Sequence, residues 1–172
     1  LSILEKAKGR GAQIIAVNPL PEAGLMRFKD PQKVHGVIGD GVPIADEFVQ
    51  IRLGGDMALF AGLGRLLLEA DDRAPGTVVD RDFVAAHSAG FADYERRTRA
   101  VDLTEVAEAT GIDRAQLERV AAKMAGARRI VVCWAMGLTQ HKHAVPTISE
   151  ISNVLLMRGM IGKPGAGLCP VR

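Results

Sequence analysis

Apolar residues fall into distinct rhythms along this chain, and each rhythm predicts an element. Ile130, Val131, Val132, Cys133 and Trp134 form an unbroken apolar run rich in β-branched side chains. Such a run predicts a strand buried on both faces, as in a parallel sheet, because a one-sided sheet would alternate. The same reasoning predicts a buried parallel-type strand over residues 12–17, AQIIAV, ended by Asn18-Pro19. A third strand falls within residues 46–52, with Phe48, Val49 and Ile51 as its apolar core. Helical spacing predicts helices over residues 1–8, closed by Gly9 and Gly11, and over 57–68, 81–89, 91–99 and 145–157. Two more short amphipathic helices lie within 103–125, joined at Gly111. Residues 20–46 keep no period and are punctuated by Pro21, Gly24, Pro31, Gly36, Gly39, Gly41 and Pro43. So long an irregular connection is usually functional or packs against another part of the protein. Residues 71–80 read as a polar connector, and the tail from Gly159 is too rich in Gly and Pro to be regular.

Strands alternating with helices predict an α/β fold: a three-layer, mostly parallel sheet flanked by helices, Rossmann- or flavodoxin-like. The second helix within 103–125 feeds directly into the strand at Ile130, which suits a crossover helix of a βαβ unit. Its spacing from the first helix also matches a helix-turn-helix, so a DNA reader is an alternative. Against that, Asp113 and Glu118 stand beside Arg114 and Arg119, and the outer face is no basic stripe.

Composition narrows the classes. With 172 residues the chain suits one domain, burying roughly 70% of its unfolded surface. Its 22 Lys and Arg are opposed by 20 Asp and Glu, so a surface evolved for polyanions is not indicated, and no nucleic-acid partner is expected. Arg96, Arg97 and Arg99 beside Asp93 and Glu95 read as a solvated face. Cys133 and Cys169 give no spacing for a disulfide framework or a zinc site, and a reducing, cytoplasmic compartment is expected. No apolar run approaches the roughly 20 residues of a membrane span, and no signal peptide is visible. The chain opens without Met inside a helical pattern and stops in a loop, so a fragment of a larger multidomain protein is expected.

Ligands of open α/β sheets bind beyond the carboxyl ends of the strands. Just past the strand at Ile130 the chain breaks at Gly137 and brings Thr139, Gln140, His141 and His143 together. Asn18 stands past the end of the first strand, where an Asn before Pro is also an ordinary turn former. Leu53-Gly54-Gly55-Asp56 then joins the third strand to a helix. Two glycines allow close approach of a ligand, the helix start offers N–H groups to phosphate, and a carboxylate can accept paired N–H bonds from a guanine edge. The plainer reading makes Asp56 an N-cap after a tight turn. A full G-x-G-x-x-G fingerprint is absent, which argues against an NAD site. His141 and His143 lack an acidic or Cys partner, so no metal ligand is assigned. Lys163 and Arg172 could neutralise a phosphate or simply make the tail basic.

The ordered set IIAVNP, IRLGGD opening a helix, WAMGLTQ and RGMIGKPGAGLCPVR resembles the molybdopterin oxidoreductases of the dimethyl sulfoxide reductase superfamily, nearest their formate dehydrogenase alpha-subunit-like branch. The resemblance runs nearly end to end. It implies one interior α/β domain that helps hold paired molybdopterin guanine dinucleotides with molybdenum, in a parent enzyme passing two electrons to or from formate or another small substrate. It implies that Asn18 meets the guanosine and that Asp56, with Gly54 beside it, meets the guanine edge. Met136, Gly137 and Gln140 match the loop near the phosphates and pterin, and Arg172 matches the Arg that begins the pterin-facing strip. No catalytic residue is expected in this chain, which alone should not turn over; the remaining domains of the parent would be its partners, with any iron–sulfur cluster outside it. Leu20-Pro21 stands where many members carry a basic residue, and the connection over 20–46 is longer than in typical formate dehydrogenases.

Overall fold

The structure, a computed structural model, describes residues 2–29 and 41–171. It contains two compact units, Leu1–Arg52 and Leu53–Arg172.

The first unit opens with helix α1 (Ser2–Gly9) and strand β1 (Ile15–Asn18). The stretch expected to be irregular holds a one-turn helix α2 (Ala23–Met26) and an antiparallel pair, β2 (Arg27–Phe28) with β3 (Val42–Pro43). Its middle, with Pro31, Gly36 and Gly39, lies outside the described residues. Strand β4 (Glu47–Gln50) runs parallel to β1, in register from Ile15↔Glu47 to Asn18↔Gln50. Asp46 fastens this pair: one carboxylate oxygen accepts from Lys8 Nζ at 2.7 Å and the other from the Ile14 N–H at 2.8 Å. The parallel pairing agrees with the apolar pattern, but burial on both faces does not. Ala16 is buried while Val17 is 38% exposed, because β1 has a single strand neighbour among the described residues.

The second unit is built around α3 (Asp56–Arg73). Its Leu59, Leu63, Leu66, Leu67 and Leu68 are buried against α5 (Phe91–Arg99), α6 (Leu103–Thr110), α7 (Arg114–Gly126) and α9 (Ala144–Met157), while α4 (Arg81–His87) packs on α9. Aspartates start three of these helices. Asp80, Asp102 and Asp113 accept N–H bonds from Phe83, Thr104 and Gln116 at 3.0, 2.7 and 2.7 Å, each capping an otherwise orphan donor. Gly111, at φ 73°, closes α6 in the left-handed conformation that glycine adopts without penalty. The sequence ended α3 too early: helix-forming Glu69, Ala70 and Asp71 carry it on to Arg73. Asp71, expected in a polar connector, is 2% exposed and gathers that connector around itself.

Gly62 lets α6 and α7 approach α3. A Cβ there would stand 2.8 Å from Val106 Cγ1 and 3.3 Å from Leu117 Cδ2. Ala would gain about 1 kcal/mol of helix propensity, yet a stiff, buried Val cannot withdraw and overpacking costs about 1–3 kcal/mol. Gly62→Ala is therefore expected to lower stability by about 1 kcal/mol, read as a lower urea midpoint at unchanged slope.

Tyr94 is 8% exposed and donates its hydroxyl to Glu150 Oε1 at 2.9 Å. Burial raises the Glu150 carboxyl above its ordinary 4.5, opposed by the Tyr94 bond and by Arg97; burial also holds the Tyr94 hydroxyl protonated. A raised folded pKa means that the fold prefers the protonated acid. Its contribution is full below 4.5 and is lost as pH rises through the raised folded value. Glu150→Gln keeps an acceptor for Tyr94 without the charge, so its stability should fall less than the native chain's over that window. Denaturant midpoints measured from acidic to neutral pH check this.

After α7 come β5 (Val131–Trp134), the turn α8 (Met136–Thr139), α9 and β6 (Gly167–Pro170). The tail expected to be irregular thus ends in a strand, parallel to β5 from Val131↔Gly167 to Trp134↔Pro170. Glycine weakens a strand without forbidding it, and the ladder runs on at both ends, Gly167 N–H to Ile130 O at 2.9 Å and Val171 N–H to Trp134 O at 2.7 Å. The crossover between these strands runs through α9. The helix expected as a crossover feeding β5, α7, does run into it, but β5 pairs with β6 and with no earlier strand among the described residues. Nor is β5 buried on both faces: Val131 is 53% exposed and Cys133 is exposed. The described residues therefore form a mixed α/β fold of short parallel strand pairs and helices.

Candidate functional site

Gly54, Gly55 and Asp56 begin the second unit. Gly54 sits at φ 82°, a left-handed conformation, and a Cβ there would meet nothing within 4 Å. The turn needs glycine for its backbone and leaves open space beside it. Gly55 is the N-cap, with its carbonyl accepting the Leu59 N–H at 2.9 Å. Asp56 is the first helical residue and not the N-cap, which corrects the plainer reading of the sequence. A negative charge at this end of an 18-residue helix is favoured by its dipole. Burial nonetheless pushes the half-buried Asp56 carboxyl up from 3.8, opposed by a bond from its own backbone N–H and by the nearby His141.

His141 follows the turn α8, so the chain brings the loop after β5 to the start of α3. Met136 begins that turn and is 59% exposed; Gly137 and Gln140 are exposed with it. Gln140 closes the turn, its backbone N–H donating to Met136 O at 3.0 Å. At the end of β5 the Trp134 indole N–H is buried with no acceptor. Of the residues singled out from the sequence, Gly54, Asp56, Met136, Gly137 and Gln140 thus belong to the second unit, with His141 bridging its two loops. Asn18 belongs to the first unit, half-buried at the carboxyl end of β1 with its carbonyl accepting the Ile51 N–H at 3.4 Å. Arg172 lies outside the described residues.

Sequence reasoning set His141 aside with the metal question and did not consider the Trp134 indole. A Trp closing an apolar strand immediately before a polar loop was the available signal. Among the described residues no cluster of three or more His, Cys, Asp or Glu could hold a metal ion, and no helix is long and apolar enough to cross a membrane. The helix-turn-helix alternative gains no support, since the exposed face of α7 is mixed in charge, with Arg114, Glu118 and Arg119 on it. Leu117, Val120, Ala121 and Met124 of α7 are buried, α7 packs on α3, and Arg114 is paired in line with Glu118 at 2.7 Å.

The proteins this chain is similar to are oxidoreductases, a formate dehydrogenase among them, in agreement with its resemblance to the molybdopterin oxidoreductases of the dimethyl sulfoxide reductase superfamily. It is 73% identical, over all 172 residues, to an uncharacterized oxidoreductase of Mycobacterium tuberculosis, of which it spans 22%. It is 38% identical to protein YdeP of Escherichia coli, covering 100% of this chain and 23% of that one. Formate dehydrogenase H of Escherichia coli is 28% identical over 96% of this chain and 20% of its own length. The chain therefore spans about a fifth of the relatives it matches. Among solved structures, acetylene hydratase from Pelobacter acetylenicus shares the fold at a TM-score of 0.73 and 23% identity, over 95% of this chain and 19% of that one. No family model matches the chain.

Proposed function

We propose that this chain is a cofactor-binding domain of a molybdenum oxidoreductase, one that grips a molybdopterin guanine dinucleotide. The reading includes a three-layer, Rossmann-like arrangement for the domain and formate or another small molecule as the substrate of the whole enzyme. The observation that carries it is the half-buried Asp56 carboxylate at the start of α3, near His141 of the loop after β5 and two residues beyond Gly54, which has open space beside it. The residues present suit the group. Asp56 supplies the acceptor pair that a guanine edge requires, the exposed α8 turn offers Met136, Gly137 and Gln140 to the dinucleotide, and the Trp134 indole N–H is a donor without a partner. Asn18 is carried along as a guanosine contact of the first unit, and Arg172 as a pterin contact.

When bound, the cofactor supplies the two-electron chemistry at its metal, and this domain supplies grip and orientation. Asp56→Ala in the full-length protein should remove two charge-assisted hydrogen bonds, each worth about 1.5–3 kcal/mol. Retained GMP and molybdenum should then fall together by at least about tenfold, while Asp56→Asn, which keeps one acceptor, should fall less. Metal analysis with GMP release by acid hydrolysis reads both. Intact native protein from a host that makes the cofactor, holding neither metal nor GMP, would refute the proposal.

A further inference from the structure

The sequence found no use for its two cysteines, and the site above does not touch them. Cys133 and Cys169 are far apart in the chain, yet the parallel pairing of β5 with β6 makes them register partners. In-register residues of neighbouring parallel strands project to the same face, about 4.8 Å apart along the hydrogen-bonding direction. That spacing lies within the Cα separation that a disulfide spans, about 4.4–6.8 Å. Both thiols are free and exposed, on the same open face as Val131. They are also close enough to interact: burial first, and then the neighbouring Cys169, raises the Cys133 thiol above its ordinary value. No third His, Cys, Asp or Glu joins them to make a metal site among the described residues.

We propose that Cys133 and Cys169 form a reversible dithiol site on the open face of the β5–β6 pair, oxidised to an intramolecular disulfide by low-molecular-weight disulfides. The chemistry is two successive exchanges. One cysteine, as thiolate, attacks a sulfur of the small disulfide, whose S–S bond breaks; a mixed disulfide forms and one small thiol leaves. The second cysteine attacks the protein-bound sulfur of that mixed disulfide, forming the Cys133–Cys169 bond and releasing the second small thiol. The protein loses two electrons and the small disulfide gains them; each proton given up by a cysteine is taken by a leaving thiolate, so none is consumed. The product ties β6, and with it the glycine-rich tail, to β5 just before the α8 turn. A reversible bond there fastens the strand from which the candidate cofactor loop departs.

The test equilibrates the full-length protein in buffers of reduced and oxidised glutathione, quenches it with iodoacetamide and maps tryptic peptides by mass spectrometry. Trypsin cuts after Arg129, Lys142 and Arg158 and spares the Lys163-Pro164 bond, so the two cysteines fall in separate peptides, 130–142 and the one that opens at Gly159. In oxidising buffer these two peptides should appear joined, lighter by two hydrogens than their sum, with alkylation of both thiols falling together by at least about tenfold. Cys133→Ser should instead trap a glutathione adduct on Cys169, and the thermal midpoint should rise on oxidation in the native protein but not in that variant. Thiols that stay alkylated at every buffer poise, or that carry glutathione separately without ever joining, would overturn the proposal. The linkage map of the native protein decides the matter even where the variant does not fold.

Discussion

Arg158→Ala is expected to cost about 3–5 kcal/mol, enough to unfold a marginally stable domain at moderate temperature. Arg158 is 6% exposed. Its Nη1 donates to Val78 O at 2.6 Å, and its Nη2 to the carbonyls of Met124, Ala125 and Ala127 at 2.9, 3.0 and 2.8 Å. Four backbone acceptors from two distant stretches thus share one guanidinium. Burial pushes that group's pKa down, while Asp71 and Asp80 push it back up, and a guanidinium stays charged under such forces. Removing it leaves carbonyls at about 1–3 kcal/mol each for those that water cannot reach. Lysine has one nitrogen for these four carbonyls, so Arg158→Lys should recover only part of the loss. Denaturant unfolding of the three proteins gives the ranking, and a midpoint for Arg158→Ala within error of the native one would refute it. The consequence reaches the candidate site, because the carbonyls held by Arg158 end α7 and the chain then runs straight into β5 and its loop.

The other large effect is expected at Asp71. A single carboxylate oxygen accepts the N–H groups of Gly76, Val78 and Val79 at 3.0, 3.1 and 3.0 Å, and Arg81 stands 3.7 Å from the other oxygen. Asp71→Ala strands three donors and should cost about 3 kcal/mol. Asp71→Asn can keep all three on its amide oxygen and loses only the charge toward Arg81 and Arg158, so it should cost about 1 kcal/mol. Equal losses for the two variants would show that charge, not the number of acceptor bonds, holds the loop. Asp71 and Arg158 grip the same residue, Val78, one through its N–H and the other through its C=O. The double variant should therefore cost less than the two single losses added together, since a loop already released has less left to lose.

Neither effect could have been read from the sequence, where Asp71 sat in a connector that looked solvated and Arg158 was only the first residue of a family motif. A buried charge is recognised by what surrounds it: the acceptors of Arg158 lie 31 to 80 residues away, and the donors of Asp71, though only 5 to 8 residues on, are gathered by a loop whose course no apolar pattern shows. Asp56 shows the same limit on a smaller scale. Glycines before a helix announced a turn, but whether the carboxylate capped that turn or stood free for a ligand depended on the backbone angles of Gly55. The two cysteines are the plainest case. Their spacing in the chain means nothing, and only the pairing of β5 with β6 makes them neighbours.

What the sequence determined by itself is the local grammar. Apolar period placed α1, α4, α5, α6, α7 and α9 and strands β1, β4 and β5, while Gly9, Gly11 and Gly111 marked where helices stop, because those choices rest on contacts and caps within a few residues. The ordered junctions also carried the family, since each is a short stretch of chain that can be compared directly. Tertiary structure alone decided which strands pair, so the glycine-rich tail became β6 by borrowing its hydrogen bonds from β5. It also decided that β1 and β5 keep an exposed face, that α3 runs on to Arg73 around a buried Asp71, and that His141 comes near Asp56. Those outcomes turn on pairing, desolvation and proximity between distant segments, which a one-dimensional pattern does not encode.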